Sequence, residues 1–106
     1  MEAPHQDFTI REIRSQDSVV MALHGDLDVA TADVVTARLA ALREAGDPVI
    51  LDLDRLDFID SSGLRVILQA VEDSRRDNWS FRVTAGSEPV RRLLEAAGLT
   101  GRLPVV

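Results

Sequence analysis

The spacing of apolar and polar residues changes several times along the chain, and each change predicts an element. Phe8-Thr9-Ile10 with Ile13 reads as a first strand. Ser15-Gln16-Asp17-Ser18 turns it into a second, more apolar strand, Val19-Val20-Met21-Ala22-Leu23, which ends at His24-Gly25. The connection is too short for a crossover, so the pair is an antiparallel hairpin. Over residues 31–45, Val35, Leu39 and Leu42 fall on one helical face, with Asp28 or Thr31 as the N-cap and Gly46 and Pro48 as the stop. Val49-Ile50-Leu51-Asp52-Leu53-Asp54 is a third strand whose second half alternates. The next helix begins at the turn Asp60-Ser61-Ser62-Gly63. Counting i, i+3, i+4, i+7 from Leu64 puts Leu64, Ile67, Leu68 and Val71 in the core. Arg65, Gln69, Glu72 and Arg76 then form a polar face, and Val66, Ala70 and Ser74 a third stripe turned away from the core centre. Residues 80–85 alternate as a fourth strand. Pro89 opens a last helix with Val90, Leu93, Leu94 and Ala97 inward and Gly98 as its stop, and Leu103-Pro104-Val105-Val106 adds a short edge strand.

The order β-β-α-β-α-β-α, with a possible final β, predicts an α/β fold: a small mixed β-sheet with helices mainly on one face. Strand-helix-strand crossovers are right-handed, and laying each new strand beside the last sends every helix to the same side. Alternation at 49–54 and 81–85 agrees, because a sheet covered on both faces reads as continuous apolar runs. Residues 1–7 read as an N-terminal tail and residues 8–106 as one domain, in keeping with a length of 106.

Composition narrows the chemistry. There is no cysteine, and all 12 basic residues are arginine. That removes disulfides, thiolate nucleophiles, Schiff bases, a P-loop lysine and a lysine partner for a phosphoaspartate. A net charge of −6 argues against nucleic acid or an anionic membrane as a direct partner. No apolar run approaches a membrane span, and the start Met1-Glu-Ala-Pro-His is no signal peptide, so the expected location is cytoplasmic. Asp26, Asp28, Asp52, Asp54, Asp57 and Asp60 lie near predicted strand ends, but their spacing matches no Ca²⁺ loop, and turn and cap duties explain them better than a metal. Ser61 or Ser62 with His24 is a weak case for a hydrolase, since the Gly-x-Ser-x-Gly elbow is missing. No catalytic residue and no cofactor is expected.

The informative segment is Phe58-Ile59-Asp60-Ser61-Ser62-Gly63-Leu64. Read alone, Asp-Ser-Ser-Gly is a turn and a helix cap. Its two serines also sit at the positive end of a helix dipole, where backbone N–H groups would receive a phosphate. A phosphoserine there brings about −1.5 to −2 charges to an acidic surface, which changes the surface field rather than the fold.

This segment, followed by Val66-Ile67-Leu68, resembles the signature of the STAS-domain anti-sigma factor antagonists. His24-Gly25-Asp26-Leu27-Asp28, Ile50-Leu51-Asp52-Leu53 and Pro89-Val90-Arg91-Arg92-Leu93-Leu94 with Gly98-Leu99 resemble further segments of that family, in order, from about Phe8 onward. The resemblance implies a strand-helix superhelix and a partner switch. The unphosphorylated protein binds an anti-sigma factor, an ATP-dependent serine kinase, and so frees the sigma factor. Phosphorylation ends the binding, and a PP2C-type phosphatase restores it. The family's phosphorylated position falls on Ser61, its turn positions on Asp60 and Gly63, and an acidic residue beside the site on Asp28. ATP and Mg²⁺ would belong to the kinase. Partner contacts are expected at Asp28, Asp60, Ser61, Ser62, Gly63, Arg65, Val66 and Ala70, from a chain that is monomeric alone. Arg65 departs from the small residue of familiar members. A second reading makes the domain a fixed scaffold in a transport or stress-sensing complex, with Ser61 merely capping a helix.

Overall fold

In the computed structural model, residues 8–106 are described; the predicted tail at 1–7 lies outside them. The chain runs β1 (Thr9–Arg14), β2 (Val19–Leu27), α1 (Ala32–Glu44), β3 (Val49–Asp52), β4 (Leu56–Ile59), α2 (Ser61–Asp77), β5 (Phe81–Val83) and α3 (Glu88–Ala96). The sheet order is β1-β2-β3-β5, with β4 also pairing with β2. β1 and β2 form the expected antiparallel hairpin, and the other pairings are parallel.

β2 is the axis of the fold. It is longer than its apolar run suggests, because it continues through His24 and Gly25 to Leu27. β3 pairs with Val19–Ala22, while β4 pairs with Gly25–Leu27 beyond an irregularity at Gly25/Asp26. β4 is a strand that the local pattern does not predict. β3 and β4 are separated only by residues 53–55, and parallel neighbours normally need a crossover of a dozen residues or more. Here none is needed, because the two strands occupy successive stretches of one partner. The third and fourth predicted strands are also shorter than expected, and the chain end contributes only an isolated bridge, Val83 with Val105.

Val19, Met21 and Leu23 of β2, Val49 and Leu51 of β3, and Phe81 and Val83 of β5 point to one face and form the core with Val35, Leu39 and Leu42 of α1 and Ile67 and Val71 of α2. Ion pairs at the rim tie the layers. Arg38 of α1 engages Glu12 of β1 and holds its carboxyl below the usual carboxylate range through the hydrogen bond between them. Arg43 of α1 meets Asp73 of α2 at 2.9 Å. The Trp79 indole N–H donates to the Asp47 carbonyl at 2.8 Å and its ring stacks on Phe81. α3 packs against β4, with Val90 buried as predicted, Leu93 and Leu94 half-buried, and Ala97 exposed.

Candidate functional site

The turn between β4 and α2 is built from the Asp60 side chain. Asp60 is extended, and its Oδ1 accepts from the N–H groups of Ser62 at 2.9 Å and Gly63 at 3.2 Å. This is an N-cap in which the carboxylate also meets the positive helix end. The Asp60 N–H donates to the Leu27 carbonyl at 3.3 Å, so the cap is anchored to β2. Gly63 is buried against that same strand. A Cβ there would lie 2.7 Å from both Leu27 Cγ and the Leu27 carbonyl oxygen, and 2.9 Å from Ile59 Cγ1. Ser61 is exposed, Ser62 is half-buried, and Arg65 is exposed one turn above them.

The cap changes one expectation. The Ser62 and Gly63 N–H groups are already held by Asp60, so they do not wait for a phosphate on Ser61. A phosphate added to Ser61 would stand beside the Asp60 carboxylate, and Arg65 is the cation that shares a surface depression with that serine. The depression runs along α2 over Ser61, Leu64, Arg65, Leu68, Gln69 and Glu72. A second one opens toward α1 and is lined by Val29, Ala32, Thr36, Ser62, Arg65 and Gln69, among others. Arg65 borders both.

The expected phase of α2 is corrected. The inward arc is Gly63, Val66, Ile67, Ala70 and Val71, the same i, i+3, i+4, i+7 progression begun one residue earlier than Leu64. Val66 and Ala70 are 8% and 4% exposed and face α1, so neither is a free contact surface. Leu64 is half-buried, and Leu68, expected in the core, is 37% exposed. The physical reason is that α2 has two neighbours, the sheet and α1. Gly63 and Ala70 let the helix approach both, and Leu64 and Leu68 fall at the rim. Asp28 is also withdrawn from the surface, at 6% exposed. Its Oδ1 accepts from the Ala30 N–H at 3.0 Å, and the Thr31 hydroxyl of the same loop donates to the Asp26 carbonyl at 2.8 Å. Of the expected contact residues, Ser61, Ser62, Asp60 and Arg65 are therefore brought together at an accessible turn. Asp28, Gly63, Val66 and Ala70 support it from within. Val29, 77% exposed, and Leu68 flank the turn; neither is among the contacts expected from the sequence.

Two further strand-end aspartates are committed to backbone N–H groups. Asp54 Oδ1 accepts from the Gly86 N–H at 2.8 Å, and Asp52 Oδ1 from the Asp54 N–H at 2.9 Å. Among the described residues, no group of three or more His, Asp or Glu is placed to hold a metal ion. No helix among them is long and apolar enough to cross a membrane.

Comparison with known proteins agrees with this architecture. The profile of the STAS domain matches residues 10–105. This chain belongs to the STAS domain family. An anti-sigma F factor antagonist of Paenibacillus polymyxa is 34% identical over 89 residues, covering 82% of this chain and 76% of that protein. The anti-sigma-F factor antagonist RsfA of Mycobacterium tuberculosis is 31% identical over 98 residues, covering 88% and 76%. The crystal structure of an anti-sigma factor antagonist from Mycobacterium paratuberculosis superposes with a TM-score of 0.83 over 99% of this chain and 89% of that one, at 24% identity, a likeness of fold. In this STAS domain the buried stripe of α2 has a measurable consequence. Val66→Ala should cost about 2 kcal/mol of unfolding free energy through lost methyl burial and a cavity. Chemical denaturation reads it, and a change below a few tenths of a kcal/mol would restore the outward phase.

Proposed function

We propose that this STAS domain is an anti-sigma factor antagonist that works by partner switching. In its unmodified form it binds an anti-sigma factor that is an ATP-dependent serine kinase. Phosphorylation of Ser61 by that kinase ends the binding, and a PP2C-type phosphatase renews it. The chain itself performs no catalysis; nucleotide and metal belong to the kinase. The observation that carries this reading is the Ser61 hydroxyl, exposed at the first position of α2 while the adjoining N–H groups are fixed by Asp60. The relatives named as anti-sigma factor antagonists support the partner class.

The docking face this reading requires is the accessible rim around Ser61: Val29, Ser62, Arg65, Leu68 and Gln69. Exposed apolar side chains beside a small polar turn supply the contact area, and the turn supplies the gate. The test uses purified chain, its kinase partner and ATP, with the product mapped by mass spectrometry. A single phosphate on Ser61 is expected, and phosphate on another residue overturns the proposal. Leu68→Glu should weaken the unphosphorylated complex at least about tenfold, with a loss of stability of no more than about 1 kcal/mol, because the side chain is only partly buried. Undiminished binding would move the docking face elsewhere.

A further inference from the structure

Among the described residues, the sheet carries α1 and α2 on one face only, and strand register shows what the other face presents. Ile13, Val20 and Ile50 stand in one row across β1, β2 and β3, with Arg82 of β5 next in line. One step along, the row is Arg11, Ala22, Asp52. Ile13 is 60% exposed, and Val20 and Ile50 are half-buried. Arg11 is exposed and makes no ion pair among the described residues. Asp52 commits Oδ1 to the Asp54 N–H, and its Oδ2 takes no hydrogen bond among the described residues. β1 and β3 flank β2, so the Arg11 and Asp52 backbones stand about 10 Å apart, and among the described residues no ion pair joins their side chains.

This arrangement complements itself. A two-fold axis running along β2, in the plane between two such faces, exchanges the places of β1 and β3. It sets Ile13 over Ile50 of the second copy, Val20 over Val20, and Arg11 over Asp52, twice by symmetry. Packed sheets take this near-aligned arrangement. We propose that the helix-free face is a homodimer interface of this geometry, in contrast to the monomer suggested by sequence. Its small apolar centre makes the association weak. Both Ser61 turns lie at the same end of the dimer, clear of the paired faces.

Sedimentation equilibrium of the full chain from about 10 µM to about 1 mM tests it. The expected result is a monomer–dimer equilibrium. Ile13→Asp and Arg11→Glu, both at exposed positions of an edge strand, should each raise Kd at least about tenfold without changing the melting curve. Arg11→Glu combined with Asp52→Arg should recover dimerisation. NMR shifts that depend on concentration should cluster at Ile13, Val20 and Ile50 and spare α2, which keeps the test decisive if the Asp52 variant folds poorly. A single monomer throughout the range, a dimer indifferent to Ile13→Asp, or shifts centred on α1 and α2 would each overturn the proposal.

Discussion

Ser61→Asp is expected to weaken the complex with the anti-sigma partner by at least about tenfold, or 1.4 kcal/mol, with the fold untouched. The hydroxyl is exposed and caps nothing; the cap is Asp60. The added carboxylate therefore breaks no contact, and its effect is electrostatic. It places like charge beside Asp60 on a chain that already carries −6. A true phosphoserine, with about twice the charge, should act more strongly. Two controls separate charge from shape. Ser61→Ala should bind as the unmodified chain does, and it should resist the off-switch. Part of the Ser61→Asp defect should fade as salt is raised, since exposed charges are screened beyond roughly 8 Å at physiological ionic strength. Isothermal titration against the purified partner at two salt concentrations reads all three. Equal affinity for the Asp variant would mean that the serine does not gate docking.

Gly63→Ala should destabilise the domain by about 2–3 kcal/mol, lowering the melting temperature by roughly 10 °C or more. Propensity alone predicts the opposite, since alanine gains about 1 kcal/mol over glycine inside a helix. Space decides the sign. The Leu27 side chain can turn aside from a new methyl, but the Leu27 carbonyl, 2.7 Å from it, is backbone of the central strand and cannot. The first turn of α2 would have to lift off β2, taking with it the Asp60 N–H bond to that same carbonyl. Partner affinity should fall as well, because Ser61 rides on this turn. A melting temperature equal to or above that of the parent would show that the turn yields at little cost.

The parts of the molecule legible in the sequence are those governed by local signals. The hairpin, α1 with its Val35-Leu39-Leu42 stripe, the Asp60 cap and the Pro89 start all follow from neighbours within a few residues. What escaped is set by contacts distant along the chain. β4 is a strand because β3 leaves β2 after Ala22, and nothing local to Leu56–Ile59 announces that vacancy. The phase of α2 was misjudged because leucine is more apolar than glycine or alanine, whereas a helix wedged between a sheet and another helix favours small residues. Gly63 and Ala70 at that spacing, before and after Val66, were the available signal. The proposed site divides the same way. Ser61, Asp60, Ser62 and Arg65 stand in one contiguous motif, while Val29 comes from a loop that only the fold brings alongside.

Because two backbone amides and the central strand hold the turn, Ser61 is presented as part of a finished surface and not as a pliable loop. An enzyme that threads extended polypeptide through its cleft would find nothing to grip. Under the proposed switch, the kinase must accept a whole domain as its substrate, and recognition and chemistry then use the same patch.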